Sequence, residues 1–223
     1  MLWQYRAHFG KSVKNLFTKS MKQRIFPLLS VVLAAAEVVL VLLSWIIATV
    51  LPSSHFRSML GGEGIRWFLG TFVDNVSGNL IVWIILCSMA YGSFAGSGFC
   101  RAMVQLLYGG NITGRQRRAM CSALGVLVVF VVVVFLLAFV PHAVLLGLSG
   151  DLFPSAFSAS LVPLLAFVVT AMSFVYGFVC GTFTGVPDAF KSLCAGIVTA
   201  APLFPVYILA VQLYYTARFV FVV

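Results

Sequence analysis

Apolar residues dominate five stretches of this chain, and polar residues gather in the short segments between them. The first stretch runs from about Phe26 to Leu51 and stops at Pro52. The others cover about Leu80–Phe99, Ala119–Val140, Ser160–Thr182 and Leu193–Arg218. Each is close to the roughly 20 residues that a helix needs to cross a bilayer. The runs are continuous rather than alternating, which favours helices over barrel strands. The expectation is an all-α polytopic membrane protein of about five transmembrane helices. No linker or composition shift marks a boundary, so residues 1–223 read as a single integral membrane domain.

The segments between the spans carry their own signals. Residues 53–64 (SSHFRSMLGGEG) read as a polar, glycine-containing loop. Ile65, Phe68, Leu69, Phe72, Val73 and Val76 then recur at helical spacing, with Arg66, Gly70, Asp74 and Asn75 off that stripe. This predicts an amphipathic helix in the membrane interface or against a partner helix. Ser77-Gly78-Asn79 should separate it from span 2. Cys100–Tyr108 predicts a short surface helix, and Gly109–Arg118 a basic loop. Asn111-Ile112-Thr113 fits a glycosylation sequon, but a cytoplasmic loop would leave it unused. Residues 142–159 and 183–192 are expected to be loops, and Pro202 and Pro205 to interrupt the last span.

Composition and charge sharpen this picture. Hydrophobic residues make up 62% of the 223 residues and charged ones 9%, against about a quarter charged in a soluble domain. The net charge of +9 lies at membrane edges, so it does not call for a nucleic-acid partner. Lys and Arg number 11 on the side of the N-terminus and 3 on the other. That bias puts the N-terminus in the cytoplasm and the C-terminus outside. Residues 1–25 are basic, with Arg6, Lys11, Lys14, Lys19, Lys22 and Arg24, and are expected on the cytoplasmic membrane surface. The apolar run behind them exceeds the 7–15 residues of a signal-peptide core and reads as an anchor.

Little of the chain points to catalysis. The five cysteines (Cys87, Cys100, Cys121, Cys180, Cys194) lack metal-site spacing and read as small apolar residues. His8, His55 and His142 give no ligand set, and Gly61-Gly62-Glu63-Gly64 lacks the strand and helix context of a nucleotide loop. Asp151 and Asp188 are expected on opposite sides of the membrane, which excludes paired-carboxylate hydrolysis. No nucleophile and base pair is visible, so the chain does not read as an enzyme, and no cofactor is implied beyond Na⁺ or H⁺ as a coupling ion.

Glu37 is the most informative residue, because it lies near the middle of span 1. An ionisable group there is costly and by default a functional candidate. Ser30, Ala34, Ser44 and Ala48 share its helix face, a small and polar stripe that admits a neighbouring helix. One reading is proton or cation coupling, or a substrate contact; the other is a protonated carboxyl hydrogen-bonded to another helix. Tyr207 and Gln212 of span 5 are the expected partners, with Tyr176 of span 4 next. Small residues also recur at every fourth position, as Ser88, Gly92 and Gly96, and as Ser173, Gly177, Gly181 and Gly185, a pattern of close helix packing. Gly96-Ser97-Gly98 can also mark a broken helix. Leu124–Val140 has no polar side chain and should face lipid.

Three passages resemble the AbgT family of p-aminobenzoyl-glutamate transporters. They are GGEGIRWFLGTFVDN (61–75), SGDLFPSAFSASLVP (149–163) leading to Phe174-Val-Tyr176-Gly177, and Tyr207-Ile-Leu-Ala-Val-Gln212. Asp188 and Lys191 follow at spacing similar to the family's. The resemblance covers about half the chain. It implies a dimeric secondary carrier in a bacterial-type inner membrane, moving a small organic anion with Na⁺ or H⁺. Tyr176, Asp188, Tyr207 and Gln212 then join Glu37 as candidates for the substrate or ion pathway. The chain lacks the family's long block between Ser97-Gly98-Phe99 and Ser149-Gly150, its second hairpin after Gln212, and its acidic residue near Phe94-Ala95-Gly96. These departures imply a shortened relative, or a non-transporting scaffold or accessory subunit that keeps part of the frame.

Overall fold

A computed structural model describes residues 2–50, 56–109, 112–139 and 156–221, with side chains at 24–50, 56–109, 112–136 and 160–221. The elements are α1 (Leu2–Val50), α2 (Gly62–Val76), α3 (Asn79–Gly96), α4 (Phe99–Leu107), α5 (Gly114–Phe139), α6 (Ala156–Cys180), α7 (Val186–Ala200) and α8 (Leu203–Phe221). No strand occurs among the described residues. Five stretches are long and apolar enough to cross a membrane: Arg24–Val50, Gly62–Gly96, Gly114–Leu136, Ser160–Cys180 and Leu203–Phe221. The protein is an all-α polytopic membrane protein. Val31, Val38 and Leu42 of α1 and Val128, Val132 and Phe135 of α5 remain exposed, surfaces suited to hydrocarbon, which is as apolar as they are.

The helix breaks follow glycine and proline. The amphipathic segment forms α2 and ends at Val76; Ser77 and Gly78 separate it from α3. Gly98, at φ 79°, turns the chain after α3 and starts α4, so the Gly96-Ser97-Gly98 signal does mark a break. Expected loops are shorter throughout: α2 begins at Gly62, inside 53–64, and α6 at Ala156, inside 142–159. The basic loop after α4 is shorter than expected, because α5 begins at Gly114 and carries Arg115, Arg117 and Arg118 on its first turns. The Thr113 amide donates to Gln116 Oε1 at 3.0 Å, which satisfies one free end of that helix.

The last apolar run is also two helices rather than one kinked span. Its first part belongs to α7, which starts at Val186, inside the loop expected at 183–192. Pro202 lies between α7 and α8, where its missing N–H ends the first helix. Pro205 falls in the first turn of α8, where that N–H has no helical partner to lose. Neither proline therefore frees a carbonyl inside a span. Residues 140–155, with Asp151 and His142, and residues 51–55, with His55, lie outside the described residues, as do the side chains of the basic segment before Arg24.

The chain divides into two compact units, Met1–Ile81 with Ala201–Val223, and Val82–Ala200. In the first, α8 packs against both α1 and α2. Its core joins Met59, Phe219 and Val220 to Leu40, Val41, Trp67 and Phe68. Trp67 stacks on Phe219 with centroids 4.5 Å apart, and the Arg57 guanidinium lies 5.6 Å above the same ring. Gly64 is buried where any Cβ would strike the backbone of Ser58 and Met59. Of the glycine-rich run that opens α2, Gly64 therefore serves close packing, whereas a Cβ at Gly62 would meet nothing within 4 Å.

The second unit has a core of Phe99, Ala102, Ala119, Met120, Ala123, Val168, Met172 and Tyr176. Ala119, Met120 and Ala123 turn toward α6, with Val126, Leu127 and Phe130 half-buried beside them, while Leu124, Val128, Val129, Val131, Val132, Val133, Phe135 and Leu136 stay exposed. On α3, Gly92 meets Gly196 of α7 so closely that a Cβ on either would strike the other helix's backbone. The small residues of α6 act differently. Gly177 receives the ring of Phe183, and Gly181, at φ 76°, ends the helix. There the Thr182 amide donates to the Gly177 carbonyl and the Gly181 amide to that of Phe178, a paired helix-end closure.

Candidate functional site

The site is built on α1 and α8. In α1, Ser30, Ala34, Glu37 and Ala48 are half-buried and Ser44 is buried, so the small and polar stripe is the packed face. In α8, Gln212, Thr216, Phe219 and Val220 are buried, spaced to share one helix face. The two helices run parallel. Thr216 meets Glu37; further along, Ser44 accepts a bond from the Met59 amide at 3.1 Å, and the nearby Arg57 amide donates to Val220. Progress from 37 to 44 on α1 thus matches progress from 216 to 220 on α8. Parallel first and last spans fit an odd number of crossings.

At the centre, the Thr216 hydroxyl donates to Glu37 Oε1 at 2.6 Å. Thr216 is fully buried. Glu37 Oε2 is buried without a hydrogen-bond partner, and so are both amide atoms of Gln212, a residue only 4% exposed. Unsatisfied polar atoms at such depth are costly and call for an explanation. Glu37 thus faces protein and takes its partner from α8. The hydrogen bond to Glu37 comes from Thr216, however, rather than from Tyr207 or Tyr176, and the Gln212 amide one turn away has no partner. Thr216 lies one turn beyond Gln212, and that i, i+4 spacing was the signal available in the sequence.

The other candidates lie elsewhere. Tyr207 donates its hydroxyl to the Val76 carbonyl at 3.1 Å, capping the end of α2. Tyr176 belongs to the second unit, 1% exposed, its ring 5.0 Å from that of Phe99. Asp188, in the first turn of α7, accepts bonds from the Thr184 hydroxyl and amide and pairs with Lys191 at 3.9 Å. The Thr184 hydroxyl and amide, with smaller help from Lys191, hold the Asp188 carboxyl below its ordinary value. Among the described residues, no three His, Cys, Asp or Glu side chains form a group fit for a metal ion. No family model, curated protein or solved structure matches the chain.

Proposed function

We propose that this chain is a small secondary carrier of the AbgT type. In this reading it moves an organic anion resembling p-aminobenzoyl-glutamate, coupled to Na⁺ or H⁺, across a bacterial-type inner membrane. It works as a homo-oligomer, with its N-terminus in the cytoplasm and its C-terminus outside. The observation that carries the reading is Glu37, an ionisable group in the first span that turns to protein and keeps one buried oxygen uncommitted. Carriers place such groups on protein-facing helix sides because lipid penalises them. Helix breaks at Ser77–Gly78 and Ala201–Pro202 add support, since discontinuous helices often line carrier sites.

The test is uptake of labelled p-aminobenzoyl-glutamate into proteoliposomes under an imposed Na⁺ or H⁺ gradient. Wild type should accumulate it, and Glu37→Gln should lose gradient-driven uptake while still inserting. No uptake under either gradient would remove the reading.

A second reading, a non-transporting scaffold, is favoured by a specific observation. Tyr207, Tyr176 and Asp188 are each occupied by a helix-end or core contact. Under that reading Glu37→Gln leaves the protein's behaviour unchanged, and a transporting subunit copurifies with it.

A further inference from the structure

Among the described residues, four buried polar side-chain atoms lack a partner: Ser58 Oγ, before α2, and three on the α1–α8 pair, Glu37 Oε2 and the two amide atoms of Gln212. Gln212 and Thr216 are one turn apart on α8, so their Cβ atoms lie about 5–6 Å apart. Thr216 already holds Oε1 of Glu37, and the free atoms are Glu37 Oε2 and the Gln212 amide. Thr216 and Gln212 offer a hydroxyl that donates and a carbonyl that accepts. A carboxyl with one proton fits between them: its bare oxygen accepts from Thr216, and its O–H donates to Gln212. A metal cation fits less well. The three side chains bring four oxygens, the surrounding carbonyls are used in helix ladders, and the Gln212 N–H₂ would be left facing the cation.

We propose that Glu37 and Gln212 form a proton-binding site that ties the first span to the last, with Glu37 Oε2–H donating to Gln212 Oε1. Binding one proton removes the net charge from a segment where charge is costly and gives the buried amide oxygen its donor. Releasing it takes that donor from the amide oxygen and leaves a net charge in a segment where charge is costly.

No other acid occurs on α1 or α8. The titratable groups of α8 are Tyr207, bonded to Val76, and Tyr214, Tyr215 and Arg218. Those of α2 and the segment before it are Arg57, Glu63, Arg66 and Asp74, all exposed, with Arg57 paired to Glu63. On α1, Arg24 lies more than three turns before Glu37.

The experiment uses dicyclohexylcarbodiimide, a lipid-soluble reagent that adds to protonated carboxyls, on the full chain in liposomes, with the modified residue located by mass spectrometry. It needs neither substrate nor gradient, so its outcome is separate from that of the uptake assay. Glu37 should be labelled, labelling should fall as pH rises, and replacing choline with Na⁺ at fixed pH should not protect. Gln212→Leu should move the midpoint of the pH profile down by about one unit, as expected for losing one hydrogen bond to the protonated form. An unmoved or raised midpoint, protection by Na⁺, or no labelling of Glu37 overturns the proposal. Should Gln212→Leu fail to insert, the infrared C=O stretch of a protonated carboxyl decides. At a pH where ordinary exposed carboxyls are ionised, it must appear in the wild-type minus Glu37→Gln difference spectrum; its absence there overturns the proposal.

Discussion

The hydroxyl of Tyr207 donates to the carbonyl of Val76, joining the early part of α8 to the last residue of α2 across 131 positions of sequence. The final carbonyls of a helix have no partner within it, so this bond satisfies one of them. Tyr207→Phe should keep the packing and lose the bond, at about 1 kcal/mol. Reversible unfolding in mixed micelles would measure it, and an unchanged midpoint would show that water replaces the hydroxyl.

Glu37 supports a second stability prediction. Thr216→Val keeps the shape of the side chain and removes the only donor to the carboxyl among the described residues. The cost should be about 1–3 kcal/mol, the range for stranding a buried acceptor. Thr216→Ser should recover most of it. Equal losses in both variants would point to the methyl group rather than the hydroxyl.

The crossing of α3 and α7 gives a comparison between two glycines. A Cβ at Gly196 would strike the Ser88 and Gly92 backbone, whereas one at Gly125 of α5 meets nothing within 4 Å. Gly196→Ala should destabilise by about 1–3 kcal/mol through overpacking. Gly125→Ala should be neutral or stabilising by up to about 1 kcal/mol, since alanine is the better helix former. Thermal unfolding of the two variants side by side checks the order.

Asp188 has a pH signature. Its carboxyl is held below the ordinary 3.8 by the Thr184 bonds. A depressed acid contributes stability above its unfolded value and loses it as pH falls through its lower folded value. The difference in melting temperature between wild type and Asp188→Ala should be constant near neutral pH and vanish below 3.8. A difference that persists in strong acid would rule out the carboxylate as its source.

Topology is open to direct labelling. With the five native cysteines replaced, single cysteines at positions 54, 113 and 155 should react from opposite sides. Position 113 should be cytoplasmic and the other two external, following the charge bias. Labelling of all three from one side would refute the five-crossing arrangement.

What the sequence made legible depended on range. Continuous apolar runs disclosed the spans, and the stripe from Ile65 to Val76 disclosed α2, because both signals are local. The helical turns at Gly114–Arg118 were hidden, because basic residues that obey the positive-inside rule look the same in a loop and on a helix. The division of the last run was hidden because two prolines three residues apart gave no clue which one ended a helix. Glu37 stood out as a lone acid in an apolar run, but its partner did not. Thr216 is an ordinary residue for a span, and only the packing of helices 179 positions apart selects it over Tyr207 and Gln212.

That separation matters while the chain is being made. Ribosomes add about 5–20 residues per second, so Glu37 enters the bilayer roughly 10–35 s before Thr216 exists to meet it. Throughout that interval α1 is a span with an unmatched acid and no permanent neighbour. Biogenesis therefore needs a holding step: a proton on the acid, or an insertase that shelters α1 until α8 emerges. Nascent chains truncated before α8 lack the Thr216 donor for Glu37 and should be degraded faster than the finished protein.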